Sequence, residues 1–246
     1  MGGERDSSDA AERAMASARA AVASGEHVDA LAAARDAILL ARRERAFGAM
    51  VEALGIYREA CERVIEAASR GGAGAMVVAR GADAPDPLAA GCYLLQPPMI
   101  GADAARLREA ATAGGLPVRV LAREPMTREG KWPVVAVGDV IVRAHVDPPE
   151  RLERVEGSIT KDAYKGPAPM NWFEAAIDAL GREALGAIDA EEAAQHRVDD
   201  LLEIMSALPD HTGVIEALTR ACEEARAQRA PTHPRRRPVV DDPYSF

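Results

Sequence analysis

Small apolar residues recur at helical spacing through residues 10–70. Alanine, leucine, valine and methionine follow a 3.6-residue period among charged residues in stretches 10–24, 28–44 and 47–69. Gly25 separates the first two stretches and ends the first of them. The pattern predicts a helical segment over residues 10–70, made of three helices and preceded by disordered residues 1–9.

The hydrophobic pattern changes at residues 70–74, Arg-Gly-Gly-Ala-Gly. Short apolar runs at 75–79, 91–96 and 116–122 predict strands, and helical spacing at 104–113 predicts a helix between the last two. Such a βαβ unit has parallel strands. Residues 133–146 then predict an antiparallel hairpin with a two-residue turn at Gly138-Asp139. Residues 75–150 are therefore predicted to form an α/β core with about five strands.

Helical spacing returns in residues 170–229. It predicts three helices that start near Asn171, Asp189 and His211, after a polar connection at 150–169 that shows little pattern. The Pro-rich residues 230–246 predict a disordered tail. The predicted fold class is therefore α/β: a small mixed sheet with a βαβ unit, flanked by N-terminal and C-terminal helices. Whether those helices cover the sheet or form separate bodies stays open.

Charge and cysteine content indicate which partners and which cellular compartment the protein has. The 246 residues carry 39 acidic and 30 basic side chains, a net charge of −9, which disfavours nucleic acid and anionic membranes as partners. The one dense basic run, Arg235–Arg237, lies in the tail beside acids. Three widely spaced cysteines indicate a reducing compartment, and no apolar stretch approaches the ~20 residues of a membrane span. These features predict a cytoplasmic protein.

Part of the helical segment resembles the tetratricopeptide repeat family. The second half of such a repeat is matched by Gly25, Ala30, Leu31, Ala34, Ala37 and Ile38, and the first helix of a following repeat by Ala53-Leu54-Gly55-Ile56-Tyr57. The resemblance covers about a quarter of the chain and lacks the aromatic residues and terminal Pro of the family pattern. It implies stacked helical hairpins that bind a protein. An ordinary antiparallel set of Ala-rich helices is the alternative.

Two loops follow the carboxyl ends of the predicted parallel strands, where α/β sheets bind ligands. The loop 96–103 leads into a helix start, and the loop 123–132 carries several cations. Backbone N–H groups at a helix start and arginines together hold carboxylate or phosphate groups. The candidate ligand-binding residues are Gly101, Asp103, Arg123, Thr127 and Arg128.

An ordinary polar surface is the alternative interpretation of these loops. Glu124 and Glu129 could neutralise the neighbouring cations, and Asp103 as the helix cap would place a negative charge at the helix start. Trp132 could form a wall of any pocket there.

The sequence contains no familiar catalytic pattern. It has no P-loop, no Gly-x-Gly-x-x-Gly after a strand and no Gly-x-Ser-x-Gly, and its five histidines lack metal-ligand spacing. No catalytic residue, metal or cofactor is therefore predicted, and enzymatic activity stays open.

Two functions remain. The favoured one is a protein-interaction or adaptor protein with a helical binding segment on an α/β platform and a protein partner. The alternative is an α/β domain that binds or transforms a small anionic metabolite.

Overall fold

The part of the chain that the structure describes contains seven α-helices, one 3₁₀ helix at Gly81–Asp83 and two β-sheets. The structure is a computed structural model that describes residues 3–70, 74–156, 162–231, 233 and 235, without the side chains of residues 3–9 and 82. The helices are α1 (Gly3–Ser24), α2 (His27–Arg43), α3 (Phe47–Ser69), α4 (Gly101–Ala113), α5 (Met170–Gly186), α6 (Ala194–Ala207) and α7 (Thr212–Ala227). The strands are β1 (Ala75–Val78), β2 (Gly91–Leu95), β3 (Val118–Arg123), β4 (Trp132–Val137), β5 (Ile141–Val146), β6 (Glu153–Arg154), β7 (Tyr164–Lys165) and β8 (Pro167–Ala168).

The main sheet has six strands in the order β5-β4-β3-β2-β1-β8. Strands β1, β2 and β3 are parallel, and β2–α4–β3 is the predicted βαβ unit, in register from Gly91 opposite Val118 to Leu95 opposite Ala122. Strands β4, β5 and β8 pair antiparallel, so the predicted mixed sheet and α/β class are confirmed. The sixth strand, β8, comes from the connection 150–169. The sequence does not predict it, because a strand of two residues is too short to show a hydrophobic pattern.

The β4–β5 hairpin has a three-residue loop, so the predicted two-residue turn is wrong. Pairing ends at Val137 opposite Ile141, and a Cβ on Gly138 would lie 2.4 Å from the backbone N of Ala207. The Asp139 N–H also donates to Ser206 Oγ at 2.7 Å. This contact joins two residues that are 67 positions apart in the chain, and it stabilises the observed loop conformation.

The described residues form two compact units. The helical unit contains the described chain up to Val64, Ile188–Leu202 and the described residues from Thr212 to 235. The sheet unit contains Ile65–Ala187 and Glu203–His211. The chain thus passes from one unit to the other inside α3, rather than at the glycine-rich residues 70–74.

Alanines bring helices together in the helical unit. Ala21, Ala30 and Ala60, from α1, α2 and α3, form one buried cluster. Between α2 and α6, Arg42 donates to both carboxylate oxygens of Asp199, at 2.7 Å each. Small side chains allow close helix approach, and the two-pronged ion pair fixes α6 against α2.

Helix α1 begins at Gly3, inside the stretch 1–9 that the sequence predicts to be disordered. Residues 4–24 contain neither glycine nor proline, so nothing in them stops a helix. Residues 1 and 2 of that stretch, and residues 232, 234 and 236–246 of the predicted tail, lie outside the described residues.

Candidate functional site

The carboxyl edge of the parallel strands brings the two predicted loops together. Gln96 follows β2 directly and Arg123 is the last residue of β3. Arg123 Nη2 donates to Gln96 Oε1 at 2.8 Å. The first residues of the two loops are therefore in contact, as the sequence predicts.

At this edge Arg123 binds a carboxylate of the chain itself, that of Asp162, in the place where a ligand was expected. Arg123 is fully buried and donates to Asp162 Oδ2 at 2.6 Å, and the Met126 N–H donates to the same oxygen at 2.8 Å. The Arg123 guanidinium stacks 4.2 Å from the centre of the Trp132 ring. Burial lowers the pKa of Arg123, and Asp162 opposes that shift. These contacts hold Arg123 and Trp132 in the protein interior, although Arg123 Nε and Trp132 Nε1 are bonded to no described residue.

The start of α4 is likewise occupied by internal contacts. The helix begins at Gly101, so Asp103 is its third residue and the predicted cap position is wrong. The Asp103 carboxylate accepts the Ile100 N–H at 2.8 Å and pairs with Arg106; these contacts, the first above all, lower the pKa of Asp103. A Cβ on Gly101 would lie 2.5 Å from Val137 Cγ2, so close packing requires this glycine.

Thr127 closes the loop between β3 and β4. Its Oγ1 accepts the Lys131 N–H at 3.1 Å, and its N–H donates to the Lys131 carbonyl at 2.8 Å. Arg128 is exposed on the same loop. Ligand binding by the five residues chosen from the sequence stays a prediction, and none of the five lines either cavity described next.

A cavity of about 530 Å³ lies in the sheet unit, at the amino ends of β1 and β2. Its lining is mostly apolar and includes Met76, Tyr93, Met170 and the Cys92 thiol. Burial raises the pKa of Cys92, against the opposing effect of Arg119. The thiol is therefore protonated at neutral pH and is a poor nucleophile.

A second cavity, of about 450 Å³, lies in the helical unit, and we call it the α3 cavity. It is lined by Arg45, Ala46, Phe47, Gly48, Gln195, Ala225, Arg226, Gln228 and Ala230. These residues come from the α2–α3 connection and the start of α3, from the start of α6, and from the end of α7 with the residues that follow it. It is a shallow depression, open to solvent, that has room for a small ligand.

The amino end of α3 faces this cavity without an acceptor. No described residue accepts a hydrogen bond from the N–H groups of Phe47, Gly48 or Ala49, and the first bonded N–H is that of Met50, to the Ala46 carbonyl. Ala46 offers no side-chain cap, and the first turn of α3 contains no acid. The helix dipole therefore places a partial positive charge here, and the nearest acid along the chain is Glu44, whose buried Oε1 is bonded to no described residue.

Arg45 lies beside this helix end in an unusual backbone conformation. Its φ is +56°, and its N–H donates to the Arg42 carbonyl at 3.0 Å while the Ala46 N–H donates to the Ala41 carbonyl at 2.9 Å. Glycine usually occupies this position after a helix because it has no Cβ. The guanidinium is bonded to no described residue.

Arg226 places a second cation at the same helix end. Its Nε lies 3.6 Å from where a Cβ on Gly48 would be, so the guanidinium crosses over the first turn of α3. Within the described chain its side chain has no hydrogen-bond or ion-pair partner. Two guanidinium groups therefore adjoin a positive helix pole, an arrangement that an anion would stabilise.

Gln195 contributes an unpartnered buried oxygen to the lining. The residue is 5% exposed, and its Oε1 is bonded to no described group. The neighbouring Gln228 is already used, because its Oε1 accepts the Ala194 N–H at 3.2 Å. Buried acceptors in proteins nearly always have a donor.

Sequence reasoning missed this cavity. One signal was readable: Ala46 stands where a Ser, Thr, Asp or Asn cap normally precedes a helix, with an arginine before it. Gln195 and Arg226 could not be found in this way, since they lie far along the chain from Arg45.

Comparison of the chain with protein-family models, curated proteins and solved structures finds no match. In the described residues there is no cluster of three or more metal-ligating side chains. Nor does that part of the chain include a helix with the length and apolar character needed to cross a bilayer.

Proposed function

We propose that the protein binds a small ligand through an oxyanion group, a phosphate or a carboxylate, in the α3 cavity. One observation carries the proposal: two guanidinium groups without described partners lie at an uncapped helix amino end that has no acid in its first turn. A helix amino end and arginines are the usual components of phosphate and carboxylate sites. This is the anionic-metabolite hypothesis from the sequence, moved to a different site.

The electrostatics favour an anion here despite the net charge of −9. Each charge-assisted hydrogen bond contributes about 1.5–3 kcal/mol. Two or three such bonds contribute about 3–9 kcal/mol, most of which offsets the cost of association, so a bare phosphate ion should bind weakly, with a Kd of about 1 mM or higher. A natural ligand with further contacts would bind more tightly.

Helix-end stabilisation is the competing explanation for Arg226. It lies in the last turn of α7, where a cation favours the negative pole of its own helix. In that case, Arg226→Gln would lower the free energy of unfolding and leave phosphate affinity unchanged. The proposed function predicts a loss of phosphate affinity instead.

Phosphate titration of the full chain, followed by amide NMR and calorimetry, tests the proposal. We expect the Phe47, Gly48 and Ala49 amide resonances to move with phosphate, and Arg226→Gln or Arg45→Gln to weaken binding about tenfold. Arg220→Gln is the matched control, since it removes the same charge from α7 at an exposed position outside the cavity. Unmoved amides, or equal weakening by all three variants, would contradict the proposal.

The protein-interaction hypothesis, the tetratricopeptide-like pattern and the cytoplasmic location stay predictions from the sequence. A bound small ligand is compatible with each of them. The proposed function concerns binding and includes no catalytic step.

A further inference from the structure

The α3 cavity has an acceptor side as well as a positive side. The positive side consists of the amino end of α3 with Arg45 and Arg226. The acceptor side is the unpartnered Gln195 Oε1 oxygen, at the start of α6.

The Gln195 oxygen needs a donor that the described chain does not supply. Its side chain is at least nine-tenths buried, so bulk water cannot fully solvate it. The guanidinium of Arg226, a strong donor in the lining, lies over Gly48 instead. A buried acceptor left without a hydrogen bond is unfavourable, so the site gains if a ligand donates to it.

From these two sides we infer that the ligand is a small zwitterion. Its oxyanion binds the α3 amino end and the two arginines, and its amino group donates to Gln195 Oε1. Amino acids and phosphorylated amines have this chemistry. The inference rests on the proposed function, because it assumes that the oxyanion binds in this cavity.

A pair of phosphate monoesters that differ in one amino group tests the inference. Calorimetry on the full chain compares ethyl phosphate with 2-aminoethyl phosphate. We expect the amine to bind about tenfold more tightly, the effect of one hydrogen bond to a buried group. Gln195→Met removes the oxygen at similar volume, so it should make the affinities for the two esters equal.

A second variant guards against a folding defect in Gln195→Met. Gln195→Glu keeps an acceptor of the same length and adds a negative charge, so the preference for the amine should rise above that of the wild-type chain. A preference that persists unchanged in both variants would show that the negative net charge, and not Gln195, attracts the amine.

The outcomes separate the two proposals. Equal affinity of the wild-type chain for both esters overturns the zwitterion and leaves oxyanion binding standing. Failure of both esters to bind overturns the proposed function itself. A tenfold preference that disappears in Gln195→Met and increases in Gln195→Glu supports both.

Discussion

Arg45 adopts a backbone conformation that favours glycine, and its cationic side chain lines the α3 cavity. The left-handed conformation costs a residue with a Cβ about 1 kcal/mol. We therefore expect Arg45→Gly to raise the free energy of unfolding by about that amount and to weaken phosphate binding. Urea denaturation and calorimetry measure the two effects.

Arg45→Ala separates the backbone from the charge. It removes the guanidinium but keeps the Cβ, so phosphate affinity should fall as in Arg45→Gly without the gain in stability. A glycine variant that is no more stable than the alanine variant would show that the conformation carries no strain.

Asp162 is the only described carboxylate bonded to Arg123, whose side chain is fully buried. Removing one partner of a buried ion pair leaves an uncompensated charge, so Asp162→Ala should lower the free energy of unfolding by about 3 kcal/mol. The exposed pair Lys131–Asp147 provides the control. There, Asp147→Ala should change stability by less than about 1 kcal/mol in the same urea titration. Similar effects of the two variants would argue against a structural role for Asp162.

At the scale of elements, the hairpin loop depends on the absence of a side chain at Gly138. An added Cβ would lie 2.4 Å from the backbone of Ser206 and Ala207, so one segment must shift. We expect Gly138→Ala to lower the free energy of unfolding by about 2 kcal/mol. Gly55, inside α3, has open space around its Cβ position, so Gly55→Ala should raise stability by up to about 1 kcal/mol. Thermal and urea unfolding compare the two; loss of stability in both variants would argue against the contact.

Much of the main sheet could be predicted from local pattern. Strands β1 to β5 lie in short apolar runs that the sequence shows directly, helix α4 lies in a stretch with helical spacing, and the βαβ unit follows from their order. The pattern could not supply β8, which has two residues, or the loop length, which a contact 67 residues away decides. Nor could it show that α7 belongs to the helical unit, because that depends on packing between distant segments.

The functional site was less predictable than the fold. The sequence placed Arg123 at the carboxyl edge of the sheet, where the structure has it. Its partner Asp162 comes 39 residues later, from a connection without pattern, so the occupying carboxylate could not be foreseen. The α3 cavity draws on three separated stretches of chain, and only its uncapped helix start leaves a local sign.

Across the whole molecule, buried thiol and tyrosine hydroxyl groups lower the free energy of unfolding at alkaline pH. Burial raises the pKa of Cys222 from 9.0 to about 12, and it raises the pKa values of Cys92 and Tyr93 as well. These groups occur in both units. The folded chain therefore holds their protons more tightly than the unfolded chain does, and stability depends on keeping them protonated.

The sign and window follow from the Cys222 shift. Below pH 9 the thiol is protonated in both states, so its contribution is constant; from pH 9 to 12 only the unfolded chain releases the proton, and stability falls. The slope for this one thiol is about 1.4 kcal/mol per pH unit. Urea unfolding of the wild-type chain and Cys222→Ala at intervals from pH 7 to 11 measures it. We expect a constant difference between the two up to pH 9 and a flatter decline for the variant above it. Parallel curves would mean that the Cys222 thiol ionises in the folded chain as readily as in the unfolded one.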